Sequence, residues 1–396
     1  MKRVLLLGGT GVFGSHLAKH LSKHPDGLDG LELIVTSRDR AKAERLAASL
    51  DGAVPVRGIA VDHAHDWRET LERERPWAVV DCSGPFQGAD YHVPAMAAQA
   101  GAHVIDLADA WGYLAGYVGS LEEVARKHGV CAVAGASSTP ALSGAVVRTL
   151  TEGWERVDRI DLAIVPGGRS EVGRAVLEAV LSYAGQPVPA WRDGRLGKVS
   201  GWCEAHSMRV PGLGSRRVAP VETSDAERLG STFAVTGDVT FRAGLESKIE
   251  QWGLEALARL RRRGWAPDPR PLAGLLQRLR RFTRLMTRDV GAMVVEVRGV
   301  RERPLVRRWT LIARNGHGPM VPTMAAAATL RRLARGSVTA GAWIADDVLT
   351  LADIEAEFQP YAIECTIEDM DADGSAVPSS APGATLPPQV AAMTPA

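Results

Sequence analysis

Val4-Leu5-Leu6-Leu7-Gly8-Gly9-Thr10-Gly11-Val12-Phe13-Gly14 decides the fold of this 396-residue chain. Val4 to Leu7 is a short, unbroken apolar run, the pattern of a parallel strand buried on both faces. Ser15 to Leu21 then reads as helix. Between them Gly9, Gly11 and Gly14 have the Gly-x-Gly-x-x-Gly spacing. The first glycine permits a tight turn, the second lets backbone approach a pyrophosphate, and the third lets the helix lie against the strand. Free N–H groups at the start of that helix face negative phosphate. A second apolar run, Leu31 to Val35, follows at a βαβ distance. The candidate cofactor loop is therefore Gly8, Gly9, Thr10, Gly11, Val12, Phe13 and Gly14.

The residues after the second strand discriminate between cofactors. An NAD site normally places Asp or Glu there for the ribose hydroxyls. Here Thr36-Ser37-Arg38 occupies the position. A hydroxyl beside a guanidinium suits a 2′-phosphate, since Arg carries permanent charge and a fork of donors. Ser37 and Arg38 thus point to NADP. Asp39 keeps an NAD site open and is also a suitable cap for a helix Ala41–Leu50.

The alternation continues. Val54 to Val61 reads as a third strand ending at Asp62, a candidate for the adenine edge or a turn cap. Ala78 to Val80 leads into Asp81-Cys82-Ser83-Gly84-Pro85-Phe86, and Ser83, Gly84 and Pro85 form a small, backbone-rich turn where open α/β sheets hold ligands. Helix Tyr91–Ala100, strand His103–Asp106, helix Leu121–His128 and strand Val130–Ala134 follow. Six strands alternating with helices define a Rossmann-like doubly wound parallel sheet, an α/β fold. Asp106 and Asp109 lie just past a strand's carboxyl end, where they are either substrate-facing carboxylates or loop caps.

Residues 136–320 read as a second α/β domain with a mixed sheet. Gly135 to Ala141 is a hydroxyl-rich crossing loop. Arg156–Val165 reads as a strand and Val172–Tyr183 as a helix; Gly185 to Asp238 gives no clear elements. Trp191, Trp202 and Trp252 fit either sheet packing or a pocket wall. Met293–Gly299 and Arg307–Arg314 pair as antiparallel strands connected through Arg301–Pro304. In Asn315-Gly316-His317-Gly318-Pro319, His317 is flanked by glycines, and imidazole is the side-chain type suited to proton transfer, which makes it a candidate proton donor. Thr323–Arg335 is a helix. Residues 321–371 are expected to return toward the first domain. The Pro/Ala/Gly/Ser-rich stretch 372–396 reads as a disordered tail.

Bulk properties exclude several functions. Lys plus Arg number 47 against 46 Asp plus Glu, a net charge of +1 that gives no drive toward nucleic acid. The four cysteines (82, 131, 203, 365) are scattered, so neither a disulfide framework nor a cysteine metal site is expected. Cys131 belongs to an apolar strand and reads as core. His63 and His65 lie in a polar stretch and read as surface residues. The charged start and short apolar run suit a strand better than a leader, and the expected location is cytoplasmic. Residues 259–288 hold ten arginines and one acidic residue, Asp268, around an apolar stripe Leu272, Leu275, Leu276, Leu279, Phe282 and Leu285. Such a helix is an ordinary exposed one, a membrane-surface contact, or a binder of acidic partners.

The succession Gly8–Gly14, Thr36-Ser37-Arg38, Asp81–Phe86 and Ala97-Ala98-Gln99-Ala100-Gly101-Ala102-His103-Val104-Ile105-Asp106-Leu107-Ala108-Asp109 resembles the saccharopine dehydrogenase-like reductases, bacterial members in particular. The match is close over the first 145 residues and partial beyond, around Gly316-His317-Gly318-Pro319. The resemblance implies an NADP-binding first domain (1–135), an inserted α/β second domain and a cleft between them. It implies an NADP-dependent oxidoreductase acting on an imine, carbonyl or conjugated double bond of a small molecule, amino-acid-derived or lipid-like. Asp109 and His317 are the candidate catalytic residues, and a homodimer is expected. A short-chain reductase would need a Tyr-x-x-x-Lys pair, which is lacking; a non-catalytic NADP sensor is the alternative.

Overall fold

The computed structural model describes residues 2–169, 173–283 and 287–371. The expected tail 372–396 and Leu285 of the stripe lie outside them, as does the first residue of the helix expected at Val172. Seven parallel strands and their helices form the first unit. The chain runs β1 (Lys2–Leu7), α1 (Val12–Lys23), β2 (Leu31–Ser37), α2 (Arg40–Ser49), β3 (Val56–Ala60), α3 (Trp67–Glu74) and β4 (Ala78–Asp81). It continues through α4 (His92–Gln99), β5 (His103–Asp106), α5 (Trp111–Lys127) and β6 (Cys131–Ala134). A tight turn of helix at Ser138–Leu142 leads into α6 (Ser143–Leu150).

The second unit comprises β7 (Arg156–Val165), α7 (Arg174–Tyr183), β8 (Pro187–Arg192), β9 (Arg195–Ser200), β10 (His206–Val210) and β11 (Gly214–Pro220). It adds α8 (Asp225–Thr232), β12 (Val239–Ala243), α9 (Lys248–Arg262), α10 (Ala273–Thr283), β13 (Gly291–Arg301) and β14 (Arg303–Ala313). The chain then returns as α11 (Val321–Ala334), β15 (Gly341–Ile344), α12 (Ala345–Val348), α13 (Leu351–Ala356) and β16 (Ile363–Met370).

The first sheet has the order β15-β6-β5-β4-β1-β2-β3. β1 is central because Val4, Leu5 and Leu6 are fully buried, with helices on both faces. Chain order reverses between β1 and β4, so their carboxyl ends open the crevice that binds ligands in such sheets. β15 is a seventh strand beyond the six expected, added parallel to β6. Four residues that far along the chain carry too little periodicity to announce themselves. The small-residue helix α11 packs on α1, with Ala325, Ala326 and Ala327 fully buried.

The second sheet is mixed, running β10-β11-β12-β7-β13-β14-β16 with β8 and β9 to one side. The 321–371 return is divided between the two sheets, since β15 extends the first and β16 pairs antiparallel with β14. The hairpin β13–β14 is tighter than the expected four-residue connection, because pairing runs out to Arg301↔Arg303 and Glu302 alone turns the chain. Helix α5 starts ten residues before the expected Leu121. Gly112, Gly116 and Gly119 lower helix propensity there, but the buried Tyr113, Leu114 and Tyr117 hold the first turns.

At the β1–α1 turn a methyl group on Gly14 would sit 2.6 Å from the Gly8 carbonyl oxygen and from Gly9 Cα. Gly8 has φ +68°, and a Cβ there would meet Ser83 Cα at 2.7 Å. Backbone therefore packs on backbone, and neither position has room to give. The Gly14→Ala variant should push α1 off the turn and lose about 1–3 kcal/mol of stability in denaturant titration.

Candidate functional site

A cavity of about 1520 Å³ opens where the two sheets face each other. It exceeds the ~300–1,000 Å³ of an ordinary small-ligand pocket. One end is built by the carboxyl edge of the first sheet. Helix α1 begins at Gly11, with no side-chain cap and no acidic residue in its first turn. That end therefore offers uncapped N–H groups and the positive pole of the helix, a site suited to phosphate. Asp81 fixes the facing turn, accepting from Ser83 N at 2.8 Å and Ser83 Oγ at 2.6 Å. Ser83, Gly84 and Pro85 all border the cavity.

At the end of β2, Asp39 accepts from Lys42 N at 3.2 Å and caps α2. Its carboxylate is thereby engaged by the backbone. Ser37 Oγ accepts from Asp39 N at 3.2 Å. Arg38 is exposed, borders the cavity and has no acidic partner among the described residues. Lys42 lies one helical turn on and lines the same corner. A hydroxyl, a guanidinium and an ammonium thus border one corner of the cavity, groups suited to an anion. Asp62 also borders the cavity, and its carboxylate closes a turn, accepting from Ala64 N and paired with His65. Those bonds hold it below the usual carboxylate range.

Deeper in, two aspartates take different roles. Asp106 is fully buried: its Oδ1 accepts from Ala108 N at 3.0 Å and Gly135 N at 2.9 Å, and Tyr113 donates its hydroxyl proton to Oδ2 at 3.2 Å. It clamps the loops after β5 and β6 together. Burial pushes its pKa up to about 7. Asp109 faces the cavity instead. Its side chain is open to the cavity, yet the protein enclosing the chamber raises its carboxyl pKa, a hydrogen bond with Gln87 opposing the shift. Glu222 lies close by and is raised by enclosure and then by the charge of Asp109. Tyr183 completes the group: burial, Asp109 and Glu222 all raise its hydroxyl, so it keeps its proton. The indole of the buried Trp202 lines the same wall.

Two of the three tryptophans thus have different fates from each other: Trp191 packs on the sheet and donates to Val235 O at 3.0 Å, whereas Trp202 faces the chamber. Cys131 is buried in β6. His317 is not among the residues bordering the cavity. Its Nδ1 accepts from Ala362 N at 2.9 Å, and its ring meets that of Tyr361 edge-on. Lys42, Tyr183 and Glu222 were not singled out from the sequence. Lys42 had a signal, a cation one turn after Arg38; Glu222 and Tyr183 lie in or next to the stretch without clear periodicity. Among the described residues no His/Cys/Asp/Glu group has metal-binding geometry.

The fold and the glycine turn define a dinucleotide-binding α/β protein with a mixed-sheet second unit. Residues 4–133 match the family model described as the saccharopine dehydrogenase NADP binding domain, and the first domain is of this saccharopine dehydrogenase-like NADP-binding family. No curated protein matches in sequence. The structure is similar to saccharopine dehydrogenase (L-Glu forming) from Saccharomyces cerevisiae, with TM-score 0.62 and 15% identity, over 93% of this chain and 100% of that one. That likeness shows a shared fold through both units. More distant likenesses are to DAP dehydrogenase from C. glutamicum (TM-score 0.47, 14% identity, 90% of this chain, 98% of that one) and amine dehydrogenase from Mycobacterium smegmatis (0.46, 12%, 88%, 96%).

The raised pKa of Asp106 has a pH consequence. Its native state holds a proton that the unfolded chain releases near 3.8. Its contribution is therefore full below about pH 4 and fades as pH rises through about 7. Asp106→Asn keeps the acceptor for Ala108 and Gly135 without the charge. Thermal melts across that window should show a smaller loss of stability with rising pH in Asp106→Asn than in the parent.

Proposed function

We propose that the protein is an NADP(H)-dependent oxidoreductase whose substrate occupies the apolar end of the cavity. The observation that carries this reading is continuity: one cavity runs from the uncapped start of α1, past Ser83-Gly84-Pro85, to Asp109, Tyr183 and Glu222. Uncapped N–H groups, glycines with no room for a Cβ and an unpaired Arg38 fit a dinucleotide with a 2′-phosphate. When bound, the nicotinamide supplies or accepts hydride.

The chain's own residues position the substrate and handle the proton. Enclosure in the chamber raises both carboxyl groups, and the charge of Asp109 adds to the shift of Glu222, so each holds its proton more tightly than in water. Asp109 Oδ2 then donates to the heteroatom of an imine or carbonyl, or to the far carbon of a conjugated double bond, as hydride is delivered. Tyr183 Oη, which keeps its proton, orients the acceptor atom. Asp109 is the acid in this reading rather than His317, which does not border the cavity.

The walls define the substrate's chemistry. Val180, Leu254, Leu257, Met293 and Leu311 line the far end, and every cationic Lys or Arg bordering the cavity, Arg38 and Lys42, belongs to the cofactor corner. A substrate carboxylate at the far end would be buried beside Asp109 and Glu222 with no counter-charge among the described residues, which is strongly unfavourable. The reading therefore favours an apolar imine, carbonyl or conjugated alkene over a dicarboxylic amino acid.

Two measurements check this. Calorimetric titration should show Arg38→Ala weakening NADPH binding by about 10–100-fold, the value of one charge-assisted contact, and NADH binding by much less. Equal weakening of both would remove the 2′-phosphate assignment. In an NADPH-oxidation screen of apolar imines, enones and ketones, Asp109→Asn should lower kcat/KM by about 10²–10⁴-fold with NADPH affinity unchanged. NADPH binding without oxidation by any of them would favour a sensor over an enzyme.

A further inference from the structure

Helices α9 and α10 form one wall of the cavity and also carry the main exposed apolar surface among the described residues. On α9 the row Lys248, Trp252, Ala256 and Leu260, spaced at i, i+4, is exposed throughout. Trp252 is 59% accessible. The adjacent row Ile249, Gly253 and Leu257 borders the cavity, and Ile249 is itself 69% accessible, so cavity edge and exposed face are continuous. The same juxtaposition recurs on α10, where Leu276 borders the cavity while Leu275, and Leu272 just before the helix, are exposed. Trp265, in the link between the helices, is 74% accessible with the Arg263 guanidinium over its ring.

Charge is arranged around this face with one sign. Lys248, Arg259, Arg262, Arg263 and Arg278 are exposed along it. Of the acids nearby, Glu255 is buried between Arg217 and Arg259, Asp268 is held by Arg270, and Glu250 is half-buried at the cavity edge. Tryptophan rings and aliphatic chains flanked by exposed cationic groups match the boundary between acyl chains and anionic headgroups. No helix among the described residues is long and apolar enough to cross a membrane, so the contact is with the surface.

We propose that the exposed face of α9 and α10 docks on an anionic lipid bilayer, setting the apolar end of the cavity at the membrane so that an apolar substrate passes directly between bilayer and chamber. Docking itself is independent of the oxidoreductase reading; only the route of the substrate rests on it. An apolar wall reaching solvent through Ile249 and Leu276 then has a function, since a molecule insoluble in water enters without crossing it.

The test is flotation of the full chain with phosphatidylcholine vesicles, with and without phosphatidylglycerol, no cofactor being needed. The parent should float with the anionic vesicles, much less with the neutral ones, and lose binding as salt is raised. Trp252→Ser combined with Trp265→Ser, and separately Arg263→Ser combined with Arg278→Ser, should each weaken binding roughly tenfold or more. None of these four residues borders the cavity, so melting temperature and NADPH affinity should stay at parental values. A folded parent that does not float, or variants that float as well as the parent, would overturn the proposal. So would a solution dimer converted to monomer by Trp252→Ser/Trp265→Ser, which would mean that a second copy covers the face. If vesicles are bound but NADPH is not, docking stands and the oxidoreductase reading fails.

Discussion

Backbone lying directly on backbone at the reversal of strand order is the constraint on which the molecule depends. Gly8 and Gly14 leave no room for a side chain, so the turn after β1, the first turn of α1 and the Ser83 turn after β4 meet without intervening atoms. Asp81 holds Ser83 from beneath, and Asp106 ties the next two loops to each other. Four strand ends are thereby fixed as one surface. The uncapped pole of α1 and its positive field lie on that surface, and helices of the second unit close over it.

Electrostatics divides the resulting chamber. Unpaired cations gather where β2 meets α2, because Asp39 is occupied with capping and does not neutralise Arg38. The far end has the opposite character: apolar walls, a carboxyl pair whose protons are held more tightly than in water, and a buried tyrosine. Removal from water favours the neutral form of each acid, and a nearby like charge adds to it. The two ends therefore differ in what they would accept, charge at the first favouring an anionic group and desolvation at the other an apolar one.

The first sheet was largely legible in the sequence because each parallel strand is an unbroken apolar run with its turn chemistry beside it. Val4–Leu7, Ala78–Val80 and His103–Asp106 fall within two residues of their structural bounds. The corner at Ser37 and Arg38 was legible for the same reason, since it depends on neighbours in sequence. Glu222 and Tyr183 were not. They reach Asp109 only because α7 and the segment after β11 pack over the first sheet, and no local period encodes that approach. Gly112, Gly116 and Gly119 disguised the start of α5, whose first turns are held by tertiary packing. His317 looked favourable beside its glycines, but proximity to Ala362 and Tyr361 is a long-range fact.

The central claim is that a dinucleotide phosphate settles on the backbone where α1 begins. Amide hydrogen exchange, followed by mass spectrometry with and without NADPH, addresses it at that spot. The account predicts slowed exchange in peptides spanning Gly8–Ser15 and Cys82–Phe86, together with the Ser37–Lys42 corner. Unchanged exchange in all three segments of a folded protein saturated with NADPH would contradict it.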